Sequence, residues 1–346
     1  VNGATVLGAG VAAFLLTALS TRPLGRLALR WGITDHPGGY KTHERPIPYL
    51  GGVAIMLGTI VPFAAVAGLD DVRVTAIVLA AAAVAFLGLV DDFSPLSLLV
   101  RLAVEMVAAA GVVVGGVQAS LTESWADGPL TVLWIVVITN SFNLLDNMDG
   151  ALGAISAAGA ACLAGTAFVC AQPAAGVLLV TLALASLGFL PHNWAPAKVF
   201  MGDSGSLFIG FVFACSSALL VTGKGTGAVI AGLLLSTFVA TVDTGVVLLS
   251  RQLAGRPLLQ GGNDHMSHRL RRIGLGARAT AVVLALMAAL TGVLGLATAL
   301  NWISPITVAV AAAGAVLILV GLPQRVRVYS SDRARSRPAT ILERRR

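Results

Sequence analysis

The run Val74-Thr-Ala-Ile-Val-Leu-Ala-Ala-Ala-Ala-Val-Ala-Phe-Leu-Gly-Leu-Val90, followed at once by Asp91-Asp92-Phe-Ser-Pro95, decides the fold. As a helix rising 1.5 Å per residue, this uncharged run covers most of a hydrocarbon layer about 30 Å thick. A surface helix of a soluble protein would carry a charged or polar stripe, and this run has none. Its end is abrupt, with two carboxylates side by side where an apolar environment would give way to water.

The rest of the chain follows the same rule. Of 346 residues, 57% are hydrophobic and only 11% charged, against about a quarter charged in soluble domains. An ordinary globular domain is excluded. Further apolar runs occupy 176–190, 228–250 and 279–300. Because only helices or closed barrels satisfy their backbone in lipid, the predicted fold is an all-α integral membrane protein. Eleven transmembrane helices are expected, near residues 4–21, 50–68, 74–90, 97–117, 130–145, 151–171, 174–191, 205–222, 227–250, 279–299 and 305–322. The first lacks a basic segment before it and is read as a span, not as a cleaved signal peptide. Cys162, Cys170 and Cys215 lie in apolar runs without metal-type spacing and are read as small buried hydrophobes.

Loop charge sets the expected orientation, since cytoplasmic loops accumulate Lys and Arg. With the N-terminus outside and the C-terminus cytoplasmic, 21 of the 23 basic residues fall inside, and only Arg73 and Lys224 fall outside. The net charge of +7 then reflects topology and attraction to anionic membrane lipid, with no nucleic acid involved. The expected organisation is a membrane domain over 1–322, with cytoplasmic loops at 22–49, 91–96, 146–150, 192–204 and 251–278. A basic cytoplasmic tail follows over 323–346.

Those loops hold half of the 16 acidic residues. Asp91 and Asp92 repel one another, an arrangement that suits a cation or a proton-accepting task, although a solvated helix end also explains it. In Asn140-Ser-Phe-Asn-Leu-Leu-Asp-Asn-Met-Asp-Gly150, the residues Asn140, Asn143 and Asp146 recur every third position, with Asp149 beyond. On a helix they would form one stripe of oxygens suited to a hard cation or a nucleotide's hydroxyls, or else a set of helix caps. Phe200-Met-Gly-Asp-Ser-Gly-Ser206 sets Asp203 among small residues at a helix start, where free amides meet phosphate and the carboxylate can hold Mg²⁺. In the loop after the ninth span, His265, His268, Arg269 and Arg272 have the spacing to face one way and meet a diphosphate, or to mark topology only. Lys41 and His43 add cations in a Pro- and Gly-rich loop. His192, Asn193 and Asp264 lie on the same side.

In this order, Lys41-Thr-His43 with Pro-Ile-Pro-Tyr-Leu-Gly-Gly52, Asp91-Asp92, Asn143-Leu-Leu-Asp-Asn-Met-Asp-Gly150, Phe-Met-Gly-Asp-Ser-Gly-Ser206 and the His-containing loop resemble the polyprenyl-phosphate N-acetylhexosamine-1-phosphate transferases of glycosyltransferase family 4. The resemblance extends to about residue 276. It implies transfer of N-acetylglucosamine-1-phosphate, or a related sugar phosphate, from a UDP-N-acetylhexosamine to polyprenyl phosphate with release of UMP. It further implies Mg²⁺, with Mn²⁺ as an alternative, held by Asn143 and Asp203. Asp91 would deprotonate or orient the lipid phosphate and Asp92 would support it. Asp146 and Asp149 would lie near the nucleotide or metal, and Lys41, His43, His265, His268 and Arg269 would bind substrate. The site would face the cytoplasm from the plasma membrane, and a homodimer is left open. Ser267 departs from the His-rich cluster of many relatives, which points away from a muramyl-pentapeptide substrate.

Two rival classes make different demands on the sequence. A secondary transporter would place polar groups at mid-span depth, where the expected spans carry only Glu105. A lipid-binding scaffold would not need the carboxylates.

Overall fold

The computed structural model describes residues 2–36, 45–68, 70–258, 262–326 and 328–329. Lys41 and His43 lie outside the described residues. In chain order the elements are α1 (Gly3–Trp31), β1 (Thr34–Asp35), β2 (Ile47–Pro48), α2 (Gly51–Ala67), α3 (Val72–Phe93), α4 (Leu98–Val114), α5 (Asp127–Leu145) and α6 (Ala151–Val169). They continue with α7 (Pro173–Asn193), α8 (Gly202–Val221), α9 (Thr226–Ser236), α10 (Phe238–Leu253), α11 (Met266–Arg272), α12 (Ala277–Ala299) and α13 (Pro305–Gly321). The protein is an all-α polytopic membrane protein. Among the described residues, eight helices are long and apolar enough to cross a membrane, nine if the bent pair α9 and α10 counts as one span.

The bundle is organised around α8. Every residue of this helix is buried except Asp203 in its first turn. It packs on α3, α5 and α2, and small residues bring the backbones close, as in membrane bundles generally. At Gly88 of α3 an added Cβ would stand 2.5 Å from the carbonyl oxygen of Asp203, so the tip of α8 touches α3 only because that side chain is absent.

The segment entering α8 is stitched to the chain between β2 and α2. The Phe200 amide donates to the Pro48 carbonyl at 2.9 Å, and Gly51 and Gly52 donate back to the carbonyls of Phe200 and Met201 at 3.0 and 2.9 Å. This fixes the level at which α8 begins.

Three expectations need correction. The continuous span at 227–250 is instead broken at Thr237, where α9 and α10 meet at 75°. Ser236 and Thr237 donate their hydroxyls to the carbonyls of Gly232 and Leu233, both at 2.7 Å, and such back-bonding bends helices. The first loop starts later than residue 22, because α1 runs through Arg22 and an internal Pro23 to Trp31. The sulfur sites also differ in depth, with Cys215 buried and Cys162 and Cys170 half-buried.

Candidate active site

Four of the expected residues converge at the tip of α8. Arg101, one turn into α4, reaches between two carboxylates, with Nη1 2.8 Å from Asp91 Oδ2 and 2.9 Å from Asp203 Oδ2. The other Asp91 oxygen accepts from the Leu96 amide at 2.5 Å. Asn143 Nδ2 donates to Asp203 Oδ1 at 2.9 Å and to Ser206 Oγ at 2.8 Å. Asp91, Arg101, Asp203 and Asn143 therefore form one connected polar group.

Asp92 has a different task. Its two oxygens accept from the amides of Asp203 and Ser204, at 2.8 and 3.2 Å. It caps α8 from another helix and satisfies donors that the first turn leaves free. Gly202 makes room for it, since its φ is +70° and an added Cβ would meet Asp92 Oδ2 at 2.5 Å. Adjacent in sequence, Asp91 and Asp92 divide into one carboxylate facing the polar group and one locked beneath it.

The predicted stripe on α5 splits in two. Asn140 donates to Glu105 Oε2, and also to its own helix at Val136, 2.9 Å away. It belongs to a buried pair with Glu105 and not to the carboxylate cluster. The helix ends at Leu145, so Asp146 lies past its C-terminus. Burial, then the negative charges of Asp203, Asp92 and Asp149, push the Asp146 carboxyl up to about 8. Its neutral form is favoured first by the loss of water around it and then by the surrounding carboxylates. Asp149 accepts from the Ala197 amide at 2.9 Å and so holds the loop before α8.

The last loop rearranges the expected roles most. His265 Nδ1 lies 2.8 Å from Asp243 Oδ2, and the other Asp243 oxygen accepts from the Met266 amide at 2.7 Å. Asp243, fully buried on α10, thereby sets the orientation of His265. Asp243 is therefore a second carboxylate within an expected span, besides Glu105. His268 packs against His265 with ring centroids 5.9 Å apart. Burial, then the neighbouring His265 and Arg271, lower the His268 pKa to about 4. At neutral pH it is a hydrogen-bonding group and not a cation.

Arg269 is not a phosphate contact in this arrangement. Its guanidinium donates to the carbonyls of Asp264, Pro323 and Val326, to Ser250 Oγ and to Gln324 Oε1, at 2.5–3.2 Å. With its donors turned to the C-terminal segment, it clasps that segment to α11. Arg272 likewise donates to the Val328 carbonyl at 3.0 Å. Asp264 is used up by Arg251, at 2.9 and 3.2 Å, and by the Tyr329 hydroxyl at 2.6 Å. His192 contacts the Ala18 carbonyl at 3.0 Å, and Asn193 bridges the Gly150 amide and the Val199 carbonyl at 2.9 and 3.1 Å, so both serve the scaffold. Ser267 donates to Asn147 Oδ1 and joins α11 to the loop after α5.

Sequence reading missed Arg101, Asp243 and Asn147. Asp243 carried a usable signal, because an ionisable residue within a membrane span is functional by default. Asp243→Asn, which removes the charge that orients His265, should lower turnover on the order of 10-fold or more in a protein that still folds. Turnover at the wild-type rate would remove Asp243 from this role.

Among the described residues, no three His, Cys, Asp or Glu side chains converge on one metal position. The donor set at the tip of α8 is smaller and made of oxygens. That fits Mg²⁺, which takes one or two protein carboxylates and completes its shell with water and substrate phosphates.

A buried central helix carries at its tip a carboxylate cluster bridged by a cationic side chain. The chain belongs to glycosyl transferase family 4, which it matches over residues 74–221. A Streptomyces coelicolor protein bearing a glycosyltransferase name is 39% identical over 94% of this chain and 77% of its own length. A Bacillus subtilis protein named "Probable undecaprenyl-phosphate N-acetylglucosaminyl 1-phosphate transferase" is 34% identical over 79% of each chain. The decaprenyl-phosphate N-acetylglucosaminephosphotransferase of Mycobacterium tuberculosis is 31% identical over 80% of this chain and 78% of its own length.

Proposed function

We propose that this enzyme transfers N-acetylglucosamine-1-phosphate from its UDP-sugar to a polyprenyl phosphate, giving a polyprenyl-diphosphate sugar and UMP. The observation that carries the reading is the Asp91–Arg101–Asp203–Asn143 group at the tip of α8, in a chain similar along most of its length to proteins named for this transfer.

In the reaction an oxygen of the lipid phosphate attacks the β-phosphorus of the UDP-sugar. A new P–O bond forms while the bond to the UMP oxygen breaks. Both reactants are anionic, so positive charge and fixed geometry must supply much of the acceleration. Arg101 offers a guanidinium where the two phosphates would meet. Asp91 orients the lipid phosphate and accepts its remaining proton. Asn143 and Asp203 would hold Mg²⁺, which when bound offsets charge on the diphosphate. His265, oriented by Asp243, and neutral His268 border the same loop and would donate hydrogen bonds to substrate oxygens. Direct attack by the lipid is preferred to a phosphosugar carried on Asp91.

Eleven crossings follow when α2, α4 and the bent pair join the eight long helices. The carboxylate end is then the basic, cytoplasmic side, where UDP-sugars are made. The lipid tail would lie along the bundle, which accounts for a nucleotide-using enzyme built into a membrane.

Purified protein given polyprenyl phosphate, Mg²⁺ and a panel of UDP-sugars should release UMP with UDP-N-acetylglucosamine. Release should stop on chelation and return with Mg²⁺ or Mn²⁺. Turnover only with UDP-muramyl-pentapeptide would reassign the donor, and no turnover with any donor would sink the proposal.

A further inference from the structure

The end of the bundle opposite the carboxylates encloses a cavity of about 180 Å³, far above the ~10–15 Å³ that one water needs. Its walls come from α6, α8, α9 and α12, and its mouth lies at Lys224, Asn301 and Pro305, in the α8–α9 connection and at the turn from α12 into α13. At 1.5 Å per residue, Val221 on this wall is roughly 27 Å along α8 from Asp203. This space is therefore separate from the reaction site.

Charge and polarity along the lining point to an occupant. Lys224 stands exposed at the mouth with no carboxylate partner among the described residues. The other cation of this end, Arg73, is already engaged by Asp71 at 3.8 Å and Gln172 at 3.2 Å. Leu163, Leu220 and Leu235 make the interior apolar, so one side of the space suits a hydrocarbon and its mouth suits an anion.

We propose that this cavity binds an anionic phospholipid of the leaflet opposite the catalytic loops, with its headgroup phosphate at Lys224 and the start of an acyl chain inside. A soluble anion would gain only Lys224, whereas a lipid fills both halves of the site. Its occupancy would brace α9, one wall of the cavity, against α6 and α12. The proposal does not depend on the reaction assigned to the other end.

The full chain, purified in detergent, would be titrated with phosphatidylglycerol or phosphatidylcholine, reading retained lipid by native mass spectrometry and the unfolding midpoint in parallel. Phosphatidylglycerol should be retained saturably with about fivefold preference, the increment one basic residue gives near anionic lipid. Lys224→Gln should lower that preference clearly, and Lys198→Gln, among the many cations of the opposite end, should lower it less. Gly295→Leu, whose Cβ would meet only Leu235 Cβ at 3.9 Å, should fill the space and reduce retention of both lipids. Equal retention by the wild type, or an undiminished preference in Lys224→Gln, would overturn the proposal. So would inorganic phosphate that displaces phosphatidylglycerol at equal concentration, because it would assign the site to a soluble anion. If Gly295→Leu fails to fold, the lysine arm still decides.

Discussion

Asp203→Ala is expected to lower UMP release by roughly 10²–10³-fold, the cost of removing one preorganised electrostatic group from a reacting centre. The same substitution should leave the bundle folded. Asp203 is the one residue of α8 that is not buried, and its amide would still donate to Asp92. Arg101 would keep Asp91, and Asn143 would keep Ser206. Asp203→Asn preserves shape while removing charge, and it should be nearly as inactive. UMP release at the wild-type rate by either variant, with an unchanged unfolding midpoint, would remove Asp203 from the chemistry.

Asp92→Ala should lose activity by a different route, through the fold. It would strip two amides of their acceptor at the start of the central helix. Leaving a buried donor unpaired costs about 1–3 kcal/mol, so the unfolding midpoint should fall clearly. Asp91→Asn is the contrasting variant. It keeps an acceptor for the Leu96 amide and leaves Arg101 paired with Asp203, so it should lose turnover while nearly keeping the midpoint. If both variants shift the midpoint equally, or neither does, the division of labour between the two carboxylates is wrong.

How much of this was legible depends on the range of the interaction that carries each feature. The apolar runs were readable because exclusion of charge from a span is a local property, and most helices fall where those runs lie. Asp91, Asn143 and Asp203 were readable because each stands in a short polar motif at the end of such a run. The break at Thr237 was not, since Ser236 and Thr237 look like tolerated small residues in an apolar segment and act only through hydroxyls turned on their own helix. Arg101 looked like one more charge near a loop, and its bridge requires α4 to bring it beside two other helices. Arg269 was misread for a similar reason. The carbonyls of Pro323 and Val326 that hold it lie 54 and 57 residues away, and nothing in Asp264-His-Met-Ser-His-Arg269 announces them.

The burial of α8 gives the enzyme a stiff internal axle with its working end at one tip. Close-packed interiors pass small volume changes on to their neighbours, and here the neighbour at the end of the line is Asp203, the carboxylate proposed to hold Mg²⁺. A methyl group gained or lost beside Phe208 or Phe211, both fully buried in α8, is expected to shift Asp203. For this protein, tolerance to substitution in the greasy interior is therefore set by the tenths of an ångström that phosphoryl transfer permits, a stricter standard than remaining folded.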